Sequence, residues 1–183
     1  MFCYDGDMRH RKTKNKKRST ILEIITKSNH ETKELGALLA QIEQHLMLLK
    51  KRSGALVLSL EGDLGSGKTT FVKGFAKGLG IRETIQSPTF VIAKIYKIKP
   101  STIRTARTLE HFKNLVHIDA YRIEPKDLPA IGWNEFIKGS RNIVLVEWGD
   151  RIRNALPRKT IRICFSHNTK NTRTVRYICQ EAR

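Results

Sequence analysis

Long apolar runs and acidic side chains are both scarce in this sequence of 183 residues. No apolar run approaches the roughly 18 residues that a membrane-spanning helix needs, so we expect no membrane partner. The stretch MFCYDGDMRHRKTKNKKRST at residues 1–20 lacks an apolar segment and contains Asp5 and Asp7. These features argue against a secretory signal and a mitochondrial presequence, and we expect a cytoplasmic protein.

Cysteine is also sparse: Cys3, Cys164 and Cys179 are all that the sequence contains. No two of them stand at the spacing of metal ligands, and the last two lie in apolar, strand-like runs. We therefore expect buried, free thiols in a reducing compartment.

The shortage of acids leaves a large positive charge. Lysine and arginine number 35 against 17 for aspartate and glutamate, a net charge of +18. Residues 9–18, RHRKTKNKKR, are predicted to form a solvated, disordered arm within residues 1–18. Residues 94–107 and 151–183 are basic as well. Such a surface attracts polyanions such as tRNA. A high net charge that keeps the protein soluble explains the surface equally well, and the sequence has no RNA-binding motif to decide between the two.

Strand-like and helix-like segments alternate along the chain, which indicates an α/β sheet. Helices are predicted over residues 28–50, from Thr69 to about Gly80, and within PKDLPAIGWNEFI. In the first helix, one apolar face is expected to contain Leu35, Leu38, Leu39, Ile42, Leu46 and Leu49. Strands are predicted at ILEIIT, GALVLSLEG, TFVIAKIYKI, LVHIDAYRI and NIVLVEWGD, and TIRICFS with TRTVRYICQ forms a terminal antiparallel hairpin.

The stretch GDLGSGKT, from Gly62 to Thr69, satisfies the phosphate-binding pattern G-x-x-x-x-G-K-[ST]. Its glycines let the backbone curl so that successive N–H groups face phosphate oxygens, and the following helix adds its own free N–H groups. Lys68 is expected to reach the β- and γ-phosphates, and the Thr69 hydroxyl to ligate Mg²⁺. The predicted nucleotide contacts are Asp63, Gly65, Ser66, Gly67, Lys68, Thr69, Thr70 and Trp148.

The expected fold is therefore a P-loop NTPase-like sheet flanked by helices, mostly parallel, with a C-terminal antiparallel hairpin. One domain is predicted over residues 19–183, with a basic insertion near residues 99–113.

A P-loop also needs an acid at the tip of a neighbouring strand. Glu147 ends IVLVE and Asp119 ends LVHID, so these two and Lys68 are the predicted catalytic residues. One acid would hold the metal while the other positions the attacking water, and the residues alone do not divide the roles. The guanine motifs N-K-x-D and D-x-x-G are missing, which disfavours a GTPase. Trp148 is equally compatible with stacking on a purine and with the core.

Four motifs in order resemble the TsaE (YjeE) family of bacterial ATPases for threonylcarbamoyladenosine modification of tRNA. They are GDLGSGKTTF, SPTF at residues 87–90, HIDAYR at residues 117–122 and VEWGDR at residues 146–151. The resemblance covers roughly residues 20–180. It implies a weak, Mg²⁺-dependent ATPase that acts on the TsaD–TsaB complex, with tRNA reached through that complex or through the basic surface.

The resemblance also implies roles for individual residues. Thr69 and Glu147 look like metal ligands, and Asp119 looks like the catalytic acid or the residue that positions water. The sequence from Ser87 to Phe90 resembles a nucleotide-sensing loop, and Trp148 resembles the residue beside the base. Ser28 and Asn29 would border the adenine.

Two departures from the family keep other functions open: the Lys-rich arm, and an extra segment of about ten residues, basic in character, around Lys99 to Lys113. With Arg104 and Arg107 as a lid, the insertion also suits a small-molecule or nucleoside kinase. A third hypothesis is a basic RNA-binding module whose P-loop has no function.

Overall fold

The structure is a computed structural model, and it describes residues 19–49, 53–88, 91–99, 112–169 and 171–180. The predicted basic arm, Cys3, residues 89–90 of the SPTF motif and residues 100–111 of the predicted insertion lie outside these ranges. Predictions for those residues therefore stay predictions.

The described segments alternate between strands and helices, as the sequence predicts. The seven strands are β1 (Ser19–Thr26), β2 (Leu56–Glu61), β3 (Ala93–Lys97), β4 (Asn114–Asp119), β5 (Asn142–Glu147), β6 (Ile161–His167) and β7 (Arg173–Gln180). The α-helices are α1 (Asn29–Leu49), α2 (Lys68–Gly78) and α3 (Trp133–Lys138), and 3₁₀ helices span Pro125–Ile131 and Gly149–Ala155.

The seven described strands form one mixed sheet in the order β1-β7-β6-β2-β5-β4-β3. Strands β6, β2, β5 and β4 are mutually parallel at its centre. Antiparallel neighbours flank this centre, β7 and then β1 on one side and β3 on the other. The α/β sheet and the terminal β6–β7 hairpin are confirmed. The sequence does not predict the outer pairings of β1 and β3, because pairing between distant strands leaves no local pattern.

The core lies on both faces of the central strands, which explains the continuous apolar runs of β2, β4 and β5. On one face, Phe71, Val72 and Phe75 of α2 are buried against the sheet together with residues of α1. On the other face, the sheet packs against Leu128 and Trp133, from the segment around α3. None of the helices within the described residues is long and apolar enough to cross a bilayer.

The predicted apolar face of α1 is only partly correct. Leu35 and Leu39 are buried, but Leu38 is 54% exposed and Ile42 is 40% exposed; Leu46 is exposed too. The reason is the close approach of α1 and α2, in which a Cβ added to Gly74 would overlap the Lys33 carbonyl. Small residues, rather than the bulky leucines, therefore occupy the centre of this helix pair.

Two other predicted elements are shorter or divided. The strand predicted over TFVIAKIYKI is described only as β3, because Ile92 has a left-handed φ of 65° and its N–H donates to the Pro88 carbonyl in a turn. The helix predicted in PKDLPAIGWNEFI is a 3₁₀ helix followed by α3. Gly132, with φ 78°, separates them.

Candidate nucleotide-binding site

The predicted phosphate cradle is the turn between β2 and α2. Strand β2 ends at Glu61 and α2 begins at Lys68. Gly62, Gly65 and Gly67 have φ values of 136°, 75° and 104°, a region that side chains with a Cβ rarely adopt. Gly62 also needs to lack a side chain, because a Cβ there would overlap the Phe165 carbonyl of β6. The glycine spacing thus produces a curled loop at the positive end of a helix, the geometry that binds phosphate in other proteins.

The Lys68 side chain curls over this loop. Its Nζ donates hydrogen bonds of 2.7 Å to the Gly62 carbonyl and 2.8 Å to the Asp63 carbonyl. Burial lowers the pKa of the Lys68 ammonium below its usual value, while the Glu147 carboxylate, followed by Asp150 and Asp119, opposes this shift. An ammonium held at the P-loop by two carbonyls can donate to phosphate oxygens in charge-assisted hydrogen bonds.

The two predicted strand-tip acids lie side by side. Strands β4 and β5 pair in parallel with Asp119 opposite Glu147, and β2 and β5 pair with Leu60 opposite Glu147. The carboxyl ends of three strands therefore meet at the P-loop, where ligands bind in open α/β sheets. Both acids are buried, which sets them apart from ordinary surface carboxylates.

Glu147 is held by hydrogen bonds from two directions. The Thr69 hydroxyl donates to its Oε2 over 2.8 Å. His117, fully buried on β4, contacts its Oε1 through Nε2 over 2.8 Å. The sequence predicts that His117 is a packed or hydrogen-bonded core residue. The structure agrees, and the contact with Oε1 also fixes the orientation of the Glu147 carboxylate.

Asp119 has separate partners. Ser87 Oγ donates to its Oδ2 over 3.1 Å, and the backbone N–H of Tyr121 donates to its Oδ1 over 3.0 Å. The first residue of the SPTF motif therefore contacts the acid of the HIDAYR motif. This contact connects the predicted sensing loop to the predicted water-positioning residue.

Trp148 follows Glu147 in a left-handed conformation, with φ 59°. Its ring centroid lies 3.8 Å from Lys68 Nζ and 4.9 Å from the ring centroid of Tyr121. The indole thus covers the Lys68 ammonium in a cation–π contact. Stacking of Trp148 on a purine stays a prediction.

A cavity of about 270 Å³ opens between the P-loop and the two acids. Of the predicted site residues, it is lined by Gly65, Gly67, Lys68, Thr69, Thr70, Asp119, Glu147 and Trp148. Leu64, Ser87, Tyr121 and Arg122 line it as well. Asp63 and Ser66 do not: Ser66 is buried and Asp63 is exposed. Ser28 and Asn29 are not lining residues either; they lie at the start of α1.

The site residues fit a nucleotide with Mg²⁺. The loop curls as a phosphate cradle requires, and the Thr69 hydroxyl and the Glu147 carboxylate bring two oxygens to within 2.8 Å of each other. Oxygen is the donor that Mg²⁺ prefers, and this ion usually takes one or two protein ligands and completes its shell with phosphate and water. Within the described residues, no cluster of three or more His, Cys, Asp or Glu could hold a metal unaided.

A charged cluster beneath the loop was not predicted from the sequence. Glu61, the last residue of β2, accepts bonds from Arg162 Nε over 2.8 Å, from Arg162 Nη2 over 2.6 Å and from Arg153 Nη2 over 3.0 Å. Burial would raise the pKa of Glu61, but the Arg162 and Arg153 guanidinium groups hold it below its usual value. This cluster joins β2 to β6 at the residue before the P-loop.

Within the described residues, Cys164 and Cys179 form no disulfide and are half-buried, whereas the sequence predicts buried thiols. Cys164 lies beside the charged cluster, and burial raises the pKa of its thiol. A thiol kept protonated is a weak nucleophile.

Comparison with known proteins agrees with these motifs. The family model for the threonylcarbamoyl adenosine biosynthesis protein TsaE matches residues 26–175. The chain belongs to the TsaE family. A TsaE protein of Bacillus subtilis is 38% identical over 121 residues, which cover 66% of this chain and 68% of that protein. A TsaE protein of Treponema pallidum is 33% identical over 143 residues, covering 78% of this chain and 89% of that one.

A solved structure supports the same fold. The crystal structure of Bacillus subtilis YdiB superposes with a TM-score of 0.65 and 30% identity, covering 90% of this chain and 88% of that one. The TsaE match spans the P-loop, Asp119 and Glu147, so the residues that line the cavity all lie within the part of the chain that resembles the family.

Proposed function

We propose that this TsaE-family chain binds ATP with Mg²⁺, hydrolyses it slowly, and thereby supports threonylcarbamoyladenosine modification of tRNA through the TsaD–TsaB complex. One arrangement carries this proposal: the P-loop residues Lys68 and Thr69 face Glu147 and Asp119 at the ends of two adjacent parallel strands. The relatives' names give the pathway, and the partner complex follows from the family resemblance.

In this proposal the loop binds the polyphosphate. The backbone N–H groups of the P-loop donate to phosphate oxygens, and the Lys68 ammonium reaches the terminal phosphates from its position at the Gly62 and Asp63 carbonyls. Thr69 and Glu147 would hold Mg²⁺, which neutralises phosphate charge when bound. His117 keeps one Glu147 oxygen occupied, so that the other faces Thr69.

Asp119 orients the water that attacks the γ-phosphorus. Its carboxylate lines the cavity and is fixed by Ser87 and by the Tyr121 backbone. A fixed carboxylate accepts a hydrogen bond from water and directs a lone pair toward the phosphorus. We therefore assign the metal to Glu147, which accepts the Thr69 hydrogen bond, and the water to Asp119. The sequence alone leaves this division of roles open.

The Ser87–Asp119 hydrogen bond offers a route from hydrolysis to a partner. A loop whose first residue contacts the water-positioning acid senses whether the γ-phosphate is present, as switch loops do in other nucleotide hydrolases. Loss of that phosphate would release the loop and alter a surface that TsaD–TsaB contacts.

An ATPase assay with TsaD–TsaB and tRNA added separately tests the proposal. We expect slow hydrolysis by the chain alone and faster hydrolysis when TsaD–TsaB is added. The matched variant is Asp119→Asn, which should hydrolyse slowly under both conditions.

Other outcomes would favour the alternative functions. Hydrolysis stimulated only by a small hydroxyl-bearing acceptor would favour a kinase. Salt-sensitive RNA binding that persists unchanged in Lys68→Ala, without any ATP hydrolysis, would favour an RNA-binding module. Either result would contradict the proposed function.

A further inference from the structure

Strand β7 brings to the P-loop a buried arginine that has no role in the site described above. Arg173 is only 8% exposed, and its Nη2 donates a 2.8 Å hydrogen bond to Asn29 Oδ1. Among the residues that the structure describes, its Nε and Nη1 have no hydrogen-bond partner. No carboxylate in the described ranges forms an ion pair with it.

This arrangement is unusual for a charged group. Buried polar atoms in proteins almost always have a hydrogen-bond partner, and a buried charge is costly unless a counter-charge accompanies it. The neighbouring charged residue Arg176, on the same strand, is exposed and bonds to Glu23 over 2.7 Å. The two unpaired nitrogens of Arg173 therefore indicate an acceptor supplied by a ligand.

The Arg173 side chain crosses the P-loop at Gly67. A Cβ on Gly67 would lie 3.0 Å from Arg173 Nε, 3.1 Å from its Cδ and 3.6 Å from Thr32 Cγ2. Gly67 itself lines the cavity. The guanidinium is therefore a direct neighbour of the phosphate cradle.

Two helix N-termini meet beside Arg173. Helices α1 and α2 run in the same direction, because Lys33 lies against Gly74 and Ala37 lies against Gly78. Helix α1 begins at Asn29, the partner of Arg173, and α2 begins at Lys68. Both positive helix ends thus add to the charge of the guanidinium, and the three together favour an anion. The one acid in the first turn of α1, Glu31, accepts a bond from the Lys27 backbone N–H instead.

The sheet order indicates which part of the nucleotide Arg173 would contact. Strands β5 and β6 lie on opposite sides of β2, and β7 lies beyond β6. Glu147 and the Trp148 indole, which contacts Lys68, are on the β5 side, where the terminal phosphates and metal belong. Arg173 is on the β6–β7 side, at the other end of the cradle, where the phosphate nearest the ribose would lie.

We propose that Arg173 is a nucleotide-binding residue whose guanidinium donates to the α-phosphate, with Asn29 holding the side chain in place. This inference rests on the proposed binding of ATP. It adds to the P-loop a second cationic contact, delivered by the C-terminal hairpin and independent of Lys68.

Isothermal titration of the full chain with Mg·ATP, Mg·ADP and adenosine tests this role. We expect Arg173→Ala to weaken ATP and ADP binding by the same factor, roughly 10- to 100-fold, because both carry an α-phosphate. Arg173→Lys keeps the positive charge but lacks the several N–H donors of a guanidinium. Its affinity for ATP and ADP should lie between that of Arg173→Ala and that of the unaltered protein. Arg176→Ala removes an exposed arginine from the same strand and should bind like the unaltered protein.

The outcomes separate this inference from the proposed function. If the unaltered protein binds neither ATP nor ADP, both fail. If it binds them and both Arg173 variants match Arg176→Ala, only the inference fails, and the side chain merely anchors the hairpin to Asn29. If Arg173→Ala weakened adenosine binding by the same factor as ATP binding, the assignment of Arg173 to the α-phosphate would be overturned. If Arg173→Ala does not fold, as judged by circular dichroism, Arg173→Lys decides alone: unchanged affinity for ADP overturns the inference.

Discussion

The Thr69 hydroxyl donates a 2.8 Å hydrogen bond to Glu147 Oε2, and so joins the first turn of α2 to the end of β5. These residues are 78 positions apart in the sequence. Their contact brings a hydroxyl and a carboxylate oxygen together at the mouth of the P-loop, where a metal bound to phosphate would lie.

Glu147→Ala should weaken Mg²⁺-dependent ATP binding by at least about tenfold, since even indirect partners of a metal site cost that much when removed. The measurement is ATP affinity as a function of Mg²⁺ concentration. Asp150→Asn, which removes a nearby exposed carboxylate, should change affinity only a few-fold. An unchanged Mg²⁺ dependence in Glu147→Ala would transfer the metal role to Asp119.

Asp119→Asn should slow ATP hydrolysis by roughly 10²- to 10⁴-fold, the usual contribution of a positioned acid–base group. Affinity for Mg·ATP should stay within a few-fold, because the amide can keep contacts with Ser87 and with the Tyr121 backbone. Single-turnover hydrolysis and equilibrium binding measure the two effects separately. Loss of binding with an unchanged rate for bound ATP would reverse the assigned roles.

Gly62→Ala should destabilise the protein more than Gly65→Ala. Both residues have positive φ, which costs a residue with a Cβ about 1–2 kcal/mol. Only at Gly62 would the Cβ overlap the Phe165 carbonyl, whereas no atom lies within 4 Å of a Cβ at Gly65. We expect roughly 2 kcal/mol more destabilisation for Gly62→Ala in urea unfolding. Equal losses for the two variants would mean that β6 moves aside freely.

Glu61→Gln should lower the free energy of unfolding at neutral pH by about 1–2 kcal/mol, a value kept small because Arg162 and Arg153 are partly exposed. The pKa of Glu61 is held below its unfolded value of 4.5. Its contribution is therefore present above that pH and is lost as the pH falls through the folded pKa. The difference between Glu61→Gln and the unaltered protein should shrink on acidification below about pH 4.5 in urea unfolding series.

The exposed ion pair of Glu23 with Arg176 provides the control for the Glu61 measurement. Both of its side chains are more than half exposed, so Glu23→Gln should change stability little at any pH. A stability difference for Glu61→Gln that grows as the pH falls would contradict the assigned direction of the pKa shift.

The sequence predicts the parts of this molecule that are local. The P-loop is a contiguous motif, and β2, β4 and β5 are short apolar runs, so the cradle and both strand-tip acids can be found without a structure. Parallel strands align their carboxyl ends, which is why the acids that end β4 and β5 lie side by side.

The contacts missed from the sequence are those between distant segments. Arg173 reaches Asn29 across 144 positions, and Arg162 reaches Glu61 across 101. The first contact depends on the antiparallel pairing of β7 with β1, and the second depends on the parallel pairing of β6 with β2. No periodicity in the sequence reveals either pairing. The exposed Leu38 has a similar cause, because the glycines of the α1–α2 contact decide which face of α1 is buried.

Calorimetric titration with Mg·ATP of the unaltered chain and of Lys68→Ala tests most directly whether the loop from Gly62 to Thr69 binds nucleotide phosphate. We expect measurable binding by the unaltered chain and affinity roughly 100-fold weaker for Lys68→Ala, because a buried ammonium that pairs with phosphate is lost. Absence of heat with the unaltered chain, or equal affinity for a folded Lys68→Ala protein, would contradict the claim that this loop is a nucleotide site.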